Sequence, residues 1–112
     1  AEGRDLVDGG ITSPLPAEAA RAMGADIVIG VDVLSCGSTA FADPWTSVGV
    51  GLRSVLSLIR SASVAQHHLA DIVIEPAIAH LRPDQIRKRE EFIALGDAAA
   101  RERIDEILSL IE

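Results

Sequence analysis

Residues 27–33 constrain the fold more than any other stretch of the sequence. They read Ile-Val-Ile-Gly-Val-Asp-Val and are almost entirely apolar and β-branched. Strands that are covered on both faces of a parallel sheet have this continuous apolar character, whereas half-exposed strands alternate apolar and polar residues. The run therefore predicts a central strand of an α/β sheet. Residues 71–76 predict a further strand that Pro76 ends, and residues 3–7 predict a short strand near the start.

Helical signals lie between these predicted strands. Pro16 suits the first position of a helix, and Gly24 suits a left-handed cap, so residues 16–23 predict a short helix. Strand, short helix and strand would then form a βαβ unit with a right-handed crossover. Thr46 or Ser47 predicts the start of a long helix that reaches Leu69, with an apolar stripe expected to pack across the sheet.

The C-terminal third predicts two more helices, over residues 83–95 and 98–111, separated by a break at Gly96-Asp97. The intervening stretch 34–45 is rich in Ser, Gly, Ala and Pro and predicts a long loop. No internal repeat or linker divides the 112 residues, which suit one domain.

Composition and charge exclude several functional classes. The net charge of −7, from 17 acidic and 10 basic residues, argues against nucleic-acid binding and against a polybasic membrane anchor. The single cysteine, Cys36, excludes an internal disulfide. Arg53 and Arg60 in the middle of the long predicted helix argue against a transmembrane span.

The motif Asp8-Gly9-Gly10 is the strongest candidate for chemistry. A carboxylate at the carboxyl end of a predicted strand, followed by a glycine turn, stands where open α/β sheets usually bind ligands. Glycines also let another group approach closely. An ordinary turn, in which Asp8 bonds only its own backbone, explains the same residues. Asp32 ends the next predicted strand, so the two acids could together hold Mg²⁺ for phosphoryl transfer; otherwise Asp32 caps a nearby loop.

Other reactive side chains give weaker signals. Neighbouring helical residues point about 100° apart, so His67 and His68 make a poor chelate and are expected to be solvated or to cap the helix. His80 and Cys36 are expected to be structural. The sequence has no Gly-x-Ser-x-Gly elbow, no Gly-x-Gly-x-x-Gly fingerprint and no Walker loop.

Taken in order, these segments resemble the C-terminal half of the patatin-like phospholipase family, nearest to bacterial members of the neuropathy-target-esterase branch. The resemblance is carried by Asp8-Gly9-Gly10, Pro14-Leu15-Pro16, residues 20–29, Val31-Asp32-Val33, residues 71–76 and residues 92–101. It implies the C-terminal part of a three-layer α/β/α fold with mainly parallel strands. Residues 1–112 would then be one segment of a single catalytic domain.

The resemblance also implies an activity. The family contains serine acyl hydrolases that use a Ser–Asp dyad, without a catalytic His, to cleave carboxylic esters of lipids. Asp8 matches the dyad aspartate, which accepts the proton, and Gly9 and Gly10 match its supporting turn. The family's nucleophile elbow and oxyanion loop lie upstream of this motif and do not occur here, so the chain alone is expected to be inactive.

The same resemblance implies no cofactor and no metal. The expected partners are an acyl lipid or other ester substrate and the N-terminal part of the same protein, with no nucleic acid. Exposed sheet edges favour a homo-oligomer. The expected location is cytoplasmic or peripheral to a membrane, with Phe41 and Trp45 meeting lipid. A Mg²⁺-dependent phosphoryl-transfer or phosphate-binding domain and a non-catalytic interaction module are the alternatives.

Overall fold

A computed structural model describes residue 3 and residues 5–36 and 45–112 of the chain. Its regular elements are helix α1 (Ala17–Ala22), strand β1 (Ile29–Val31), helix α2 (Ser47–Val64), strand β2 (Ile72–Ile74), helix α3 (Arg89–Glu102) and helix α4 (Ile104–Ile111). Single 3-10 turns lie at Gly9–Ile11, His67–Leu69 and Ile86–Lys88. Helices around a parallel strand pair confirm the mixed α/β class that the sequence predicts.

The sheet consists of β1 and β2, which pair in parallel with Ile29 opposite Ile72 and Val31 opposite Ile74. Backbone bonds extend the pairing at each end, from the Asp71 N–H to the Val28 carbonyl at 2.8 Å and from the Asp32 N–H to the Ile74 carbonyl at 2.9 Å. Helix α2 lies between the two strands in the chain. The βαβ unit is therefore β1–α2–β2.

The predicted βαβ unit built on a strand at residues 3–7 is wrong. Residue 3 lies in a turn, and residues 5–8 have no regular secondary structure. Leu6 is 77% exposed and Val7 is 70% exposed, so this apolar pair has no covering layer in the described part of the chain. A strand forms only where a neighbour accepts its backbone bonds, and apolar composition alone supplies none.

The core lies around the strand pair and the segments next to it. Its buried apolar residues are Leu15, Ala17, Val28, Ile72, Ile74, Ile78 and Leu81. The Leu15 side chain packs directly on β1, because a Cβ at Gly30 would stand 3.1 Å from a Leu15 methyl group. The prediction that residues 27–33 are covered on both faces is wrong, since Ile29 and Val31 are 41% and 52% exposed.

Helix α2 begins where the sequence predicts. The Thr46 hydroxyl accepts a bond from the Gly49 N–H at 3.0 Å, which satisfies one of the unpaired donors of the first turn. The prediction that its apolar stripe packs across the sheet is wrong, because Gly49 and Ser63 are its buried residues.

Ser47–Leu69, with a mean hydropathy of 1.3, is long and apolar enough to cross a bilayer. One such helix does not determine where the protein resides.

The break between the C-terminal helices falls at Arg103, not at the predicted Gly96-Asp97. Helix α3 continues through this pair because the Asp97 carboxylate accepts a bond from Arg101 Nε, one helical turn later, at 2.7 Å. Glycine in a helix interior costs only about 1 kcal/mol, which such local interactions can partly offset.

At the other end of the chain, α1 follows Pro16 and ends before Gly24, whose φ of 92° confirms the predicted left-handed cap.

Arg21 and Asp71 connect α1 to the amino ends of both strands. Arg21 Nη2 donates to Asp71 Oδ2 at 2.6 Å, and Arg21 Nε donates to the Leu69 carbonyl at 3.1 Å. The same Asp71 oxygen accepts the Val28 N–H at 2.7 Å. These bonds stabilise the charged form of the carboxylate, so the Val28 N–H and then Arg21 hold the pKa of Asp71 below its usual value.

The described chain does not close around a full core. Its radius of gyration is 16.1 Å, whereas a compact domain of this length has about 13 Å. Exposed large apolar residues occur along α2 and α4 as well as on β1. The fold therefore presents several apolar faces that a neighbouring layer can cover.

We expect Asp71→Asn to destabilise the chain at neutral pH, because the amide carries no charge for Arg21. The pKa of Asp71 is lowered in the folded state, so its contribution is present above the unfolded value of about 3.9 and is lost as the pH falls below it. Urea denaturation at neutral pH and in acid measures the difference. Asp97→Asn is the control, since it removes an exposed pair within one helix and has a smaller effect. Equal effects of the two variants at neutral pH would contradict this account.

Candidate functional site

Asp8 and the two glycines after it form a compact 3-10 turn. Asp8 Oδ1 accepts the Gly10 N–H at 2.7 Å, and the Asp8 carbonyl accepts the Ile11 N–H at 3.2 Å. Asp8 therefore bonds its own backbone through Oδ1, as expected for an ordinary turn. Within the described residues the second oxygen, Oδ2, has no hydrogen-bond partner, and the side chain is exposed. The turn fixes the carboxylate and leaves one oxygen accessible.

The two glycines differ in what they do. A Cβ at Gly10 would stand 3.1 Å from Asp8 Oδ1, closer than ordinary van der Waals contact, whereas a Cβ at Gly9 would meet no atom within 4 Å. Gly10 is therefore the residue that permits the carboxylate to fold back on the turn.

Exposed apolar side chains flank this turn in the chain. Leu6, Val7 and Ile11 are 77%, 70% and 59% exposed. Exposed apolar side chains on both sides of a carboxylate form a surface that a neighbouring layer can cover. Covering this surface would remove water from around the carboxylate.

We expect Gly10→Ala to displace the Asp8 carboxylate and to break its bond to the residue 10 N–H, while Gly9→Ala leaves that bond intact. The hydrogen-exchange rate of the residue 10 amide measures the bond. An unchanged rate in Gly10→Ala would show that the turn accommodates a methyl group there.

A second polar cluster surrounds Asp32, which follows β1 and is 6% exposed. Its Oδ2 accepts the Ser63 hydroxyl at 2.7 Å and contacts His67 Nε2 at 2.9 Å. Its Oδ1 accepts the Leu34 N–H at 2.9 Å. Because an ionised carboxylate can only accept, Nε2 carries the proton in this contact.

Burial and hydrogen bonding act in opposite directions on Asp32. Burial is the largest single influence and raises the pKa, but the bonds from Ser63, His67 and Leu34 together outweigh it. The pKa of Asp32 therefore lies below its usual value, and this carboxylate is ionised at neutral pH. A buried charge of this kind is tolerated only when several donors surround it.

Glu75 completes this cluster. Asp32, His67 and Glu75 each offer one ligand atom, and these atoms lie within 4.8 Å of one another. Glu75 follows β2 as Asp32 follows β1, so the two carboxylates occupy adjacent carboxyl ends of a parallel pair. Ligands usually bind at this edge in α/β sheets.

The Ser63–Asp32–His67 arrangement is not a nucleophile system. Ser63 is fully buried, and its hydroxyl donates to the carboxylate rather than to the imidazole. In a catalytic triad the imidazole stands between the hydroxyl and the carboxylate and takes the proton. Here Asp32 stands in the middle, so Ser63 has no access to substrate and serves to hold Asp32.

The phosphoryl-transfer alternative requires Asp8 and Asp32 to hold one metal ion together, and the structure does not place them in one group of ligands among the described residues. Within the described residues, Asp32 bonds Ser63, His67 and Leu34, and the metal-capable group that contains it does not include Asp8. The expectation that His67 is solvated or caps the helix is wrong, since its side chain is only 23% exposed and bonds Asp32. Ser63 lies in the last turn of α2 and His67 in the 3-10 turn that follows, and no sequence pattern indicated that both would contact Asp32.

The remaining candidates have local roles. His80 Nε2 contacts Glu91 Oε1 at 2.9 Å, and the Cys36 thiol donates to the Leu81 carbonyl at 3.3 Å. Trp45 is 91% exposed. Phe41 lies outside the described residues.

No protein-family model matches the chain. The functional proposal therefore depends on the geometry of Asp8 and on the resemblance of the ordered motifs.

We expect Ser63→Ala to destabilise the chain by about 1.5–3 kcal/mol, because the buried Asp32 carboxylate loses a donor. Ser61→Ala is the matched control on the same helix, since among the described residues the exposed Ser61 hydroxyl donates only to the Ser57 carbonyl. Urea denaturation of both variants measures the difference. Similar stabilities for the two variants would mean that Asp32 does not depend on Ser63.

Proposed function

We propose that this chain is a segment of a serine acyl hydrolase, similar to patatin-like phospholipases, and that Asp8 is its proton acceptor. The observation that carries the proposal is the Asp8 carboxylate, held through Oδ1 by the Gly10 N–H and accessible at Oδ2. A general base needs an orientation fixed by the protein and one oxygen available to the reacting group. The Asp8-Gly9-Gly10 turn meets both requirements.

The apolar surface around the turn supports the same proposal. Aspartate in water has a pKa of about 3.9 and is a weak base. Burial of a carboxylate with few hydrogen bonds increases its basicity. A neighbouring segment that covers Leu6, Val7 and Ile11 would provide this burial, and the nucleophile of the resembled family lies on such a segment.

The exposed faces of the sheet and of α2 also fit a segment of a larger layered domain. Ile29 and Val31 on β1 are 41% and 52% exposed, and Val48 and Leu58 on α2 are 81% and 70% exposed. A three-layer α/β/α domain covers both sheet faces with helices. These residues are the ones that a further layer would bury.

The proposed reaction proceeds through an acyl-enzyme. The serine hydroxyl gives its proton to Asp8 Oδ2 while its oxygen attacks the ester carbonyl carbon. The tetrahedral intermediate then expels the alcohol portion of the lipid, which takes the proton from Asp8. Water attacks the acyl-enzyme, again with Asp8 accepting a proton, and the fatty acid is released as the serine oxygen regains that proton. Oxyanion donors, each worth about 3–4 kcal/mol, would come from the nucleophile-bearing segment.

In the chain expressed together with the polypeptide encoded immediately upstream, we expect Asp8→Asn to keep the fold and to abolish turnover of a chromogenic ester, because an amide cannot accept the serine proton. Asp5→Asn is the matched control, since Asp5 is a nearby exposed acid outside the turn. Retention of full activity in Asp8→Asn would exclude Asp8 from the mechanism.

The exposed apolar face of α2 favours a second candidate, a non-catalytic interaction module. The two candidates differ in the upstream polypeptide, which contains a Gly-x-Ser-x-Gly elbow only if the protein hydrolyses esters. A fluorophosphonate probe covalently labels an activated serine, so labelling of that segment supports the hydrolase. A folded protein that does not react supports the module.

A further inference from the structure

We propose that Asp32, His67 and Glu75 form a binding site for Zn²⁺ or a closely similar divalent transition-metal ion. This site lies at the carboxyl ends of β1 and β2 and does not include Asp8. The proposal is therefore independent of the proposed hydrolase activity, and it differs from the absence of a metal that the resemblance implies.

The three ligand atoms already lie near one another. One atom from each of the three residues lies within 4.8 Å of the others, and Asp32 Oδ2 is 2.9 Å from His67 Nε2. Bonds of about 2.0–2.2 Å to a tetrahedral ion place two ligand atoms about 3.3 Å apart. The Asp32–His67 separation therefore needs to increase by only a few tenths of an ångström when the ion replaces the proton on Nε2.

The charges also suit a divalent ion. Two carboxylates and a neutral imidazole carry two negative charges in total. Within the described residues no Lys, Arg or His forms an ion pair with Glu75, while Asp32 is paired through His67. A dication would neutralise both carboxylates together, which the His67 contact with Asp32 does not do.

Ser63 and the Leu34 N–H position the Asp32 carboxylate before any ion arrives. Ser63 donates to the oxygen that faces His67, and Leu34 donates to the other oxygen. Partners that orient metal-binding side chains in this way are a regular part of metal sites, and their loss weakens binding. This accounts for the full burial of a serine in the last turn of α2.

Ligand type selects the ion. Mg²⁺ and Ca²⁺ prefer oxygen ligands in six or more positions, whereas Zn²⁺ commonly combines imidazole with carboxylate in four-coordinate sites. The site opens to solvent on the Glu75 side, because Glu75 is exposed and Asp32 is buried. Three protein ligands with an open side leave a fourth position for water.

The test measures Zn²⁺ binding to the whole chain carrying Cys36→Ser, so that the thiol contributes no ligand. Competition with a chromophoric chelator gives the stoichiometry and the affinity, and Co²⁺ substitution reports the coordination through its visible absorption. We expect one equivalent of Zn²⁺ to bind, an excess of Mg²⁺ not to displace it, and the ion to raise the thermal unfolding midpoint by mass action.

Single substitutions distinguish this site from adventitious binding. Glu75→Gln removes an exposed ligand without disturbing the core. We expect Ser63→Ala to lower the affinity for Zn²⁺ about tenfold and Glu75→Gln to lower it more than that. His67→Gln should weaken binding as Glu75→Gln does, while His68→Gln, the adjacent exposed histidine, should bind as the parent does. Unchanged affinity in Glu75→Gln, equal losses in the two histidine variants, or no stoichiometric binding by the parent would each overturn the proposal.

Discussion

The buried carboxylate of Asp32 is the interaction on which the rest of the arrangement depends. It joins the end of β1 to the last turn of α2 through Ser63, to the following 3-10 turn through His67, and to its own loop through Leu34. Strands of three residues each provide few backbone bonds, so polar connections at their ends contribute much of the specificity. Asp71 performs the same role at the opposite end of the sheet, where it bonds Val28 and Arg21.

This reliance on side-chain bonds explains which parts of the fold the sequence predicts. Local signals succeeded where local chemistry decides the outcome: Thr46 caps α2, Gly24 adopts positive φ, and Asp71 precedes a strand. They failed where a distant partner decides it. Residues 5–7 are apolar but pair with no strand in the described part, and the break between α3 and α4 depends on which side chains bond across each turn.

The two parts of the candidate site also differ in how far the sequence predicts them. The Asp8 turn could be read from three consecutive residues, because a short carboxylate and a following glycine determine its geometry. The Asp32 cluster could not, because its members come from the residue after β1, from α2, from the turn after α2 and from the residue after β2. The chain separation of Asp32 from Ser63 and His67 hides their contact, and the neighbour His68 made His67 resemble an ordinary polar helix end.

The two sites differ in how completely the described residues cover them. The Asp32 cluster is assembled from described residues alone, whereas exposed apolar side chains that no described residue covers flank the Asp8 turn in the chain. The Asp32 cluster therefore needs no further segment for its assembly, whereas the environment of the Asp8 carboxylate would change if a neighbouring layer excluded water from it.

Cys36 has a consequence for how such chains associate. Burial raises the pKa of its thiol, and the S–H donates to the Leu81 carbonyl, so the sulfur stays protonated at neutral pH. Thiolates, not thiols, attack disulfides and are readily oxidised. Two chains in contact would therefore not readily cross-link through Cys36, and a reducing agent would leave such a contact unchanged.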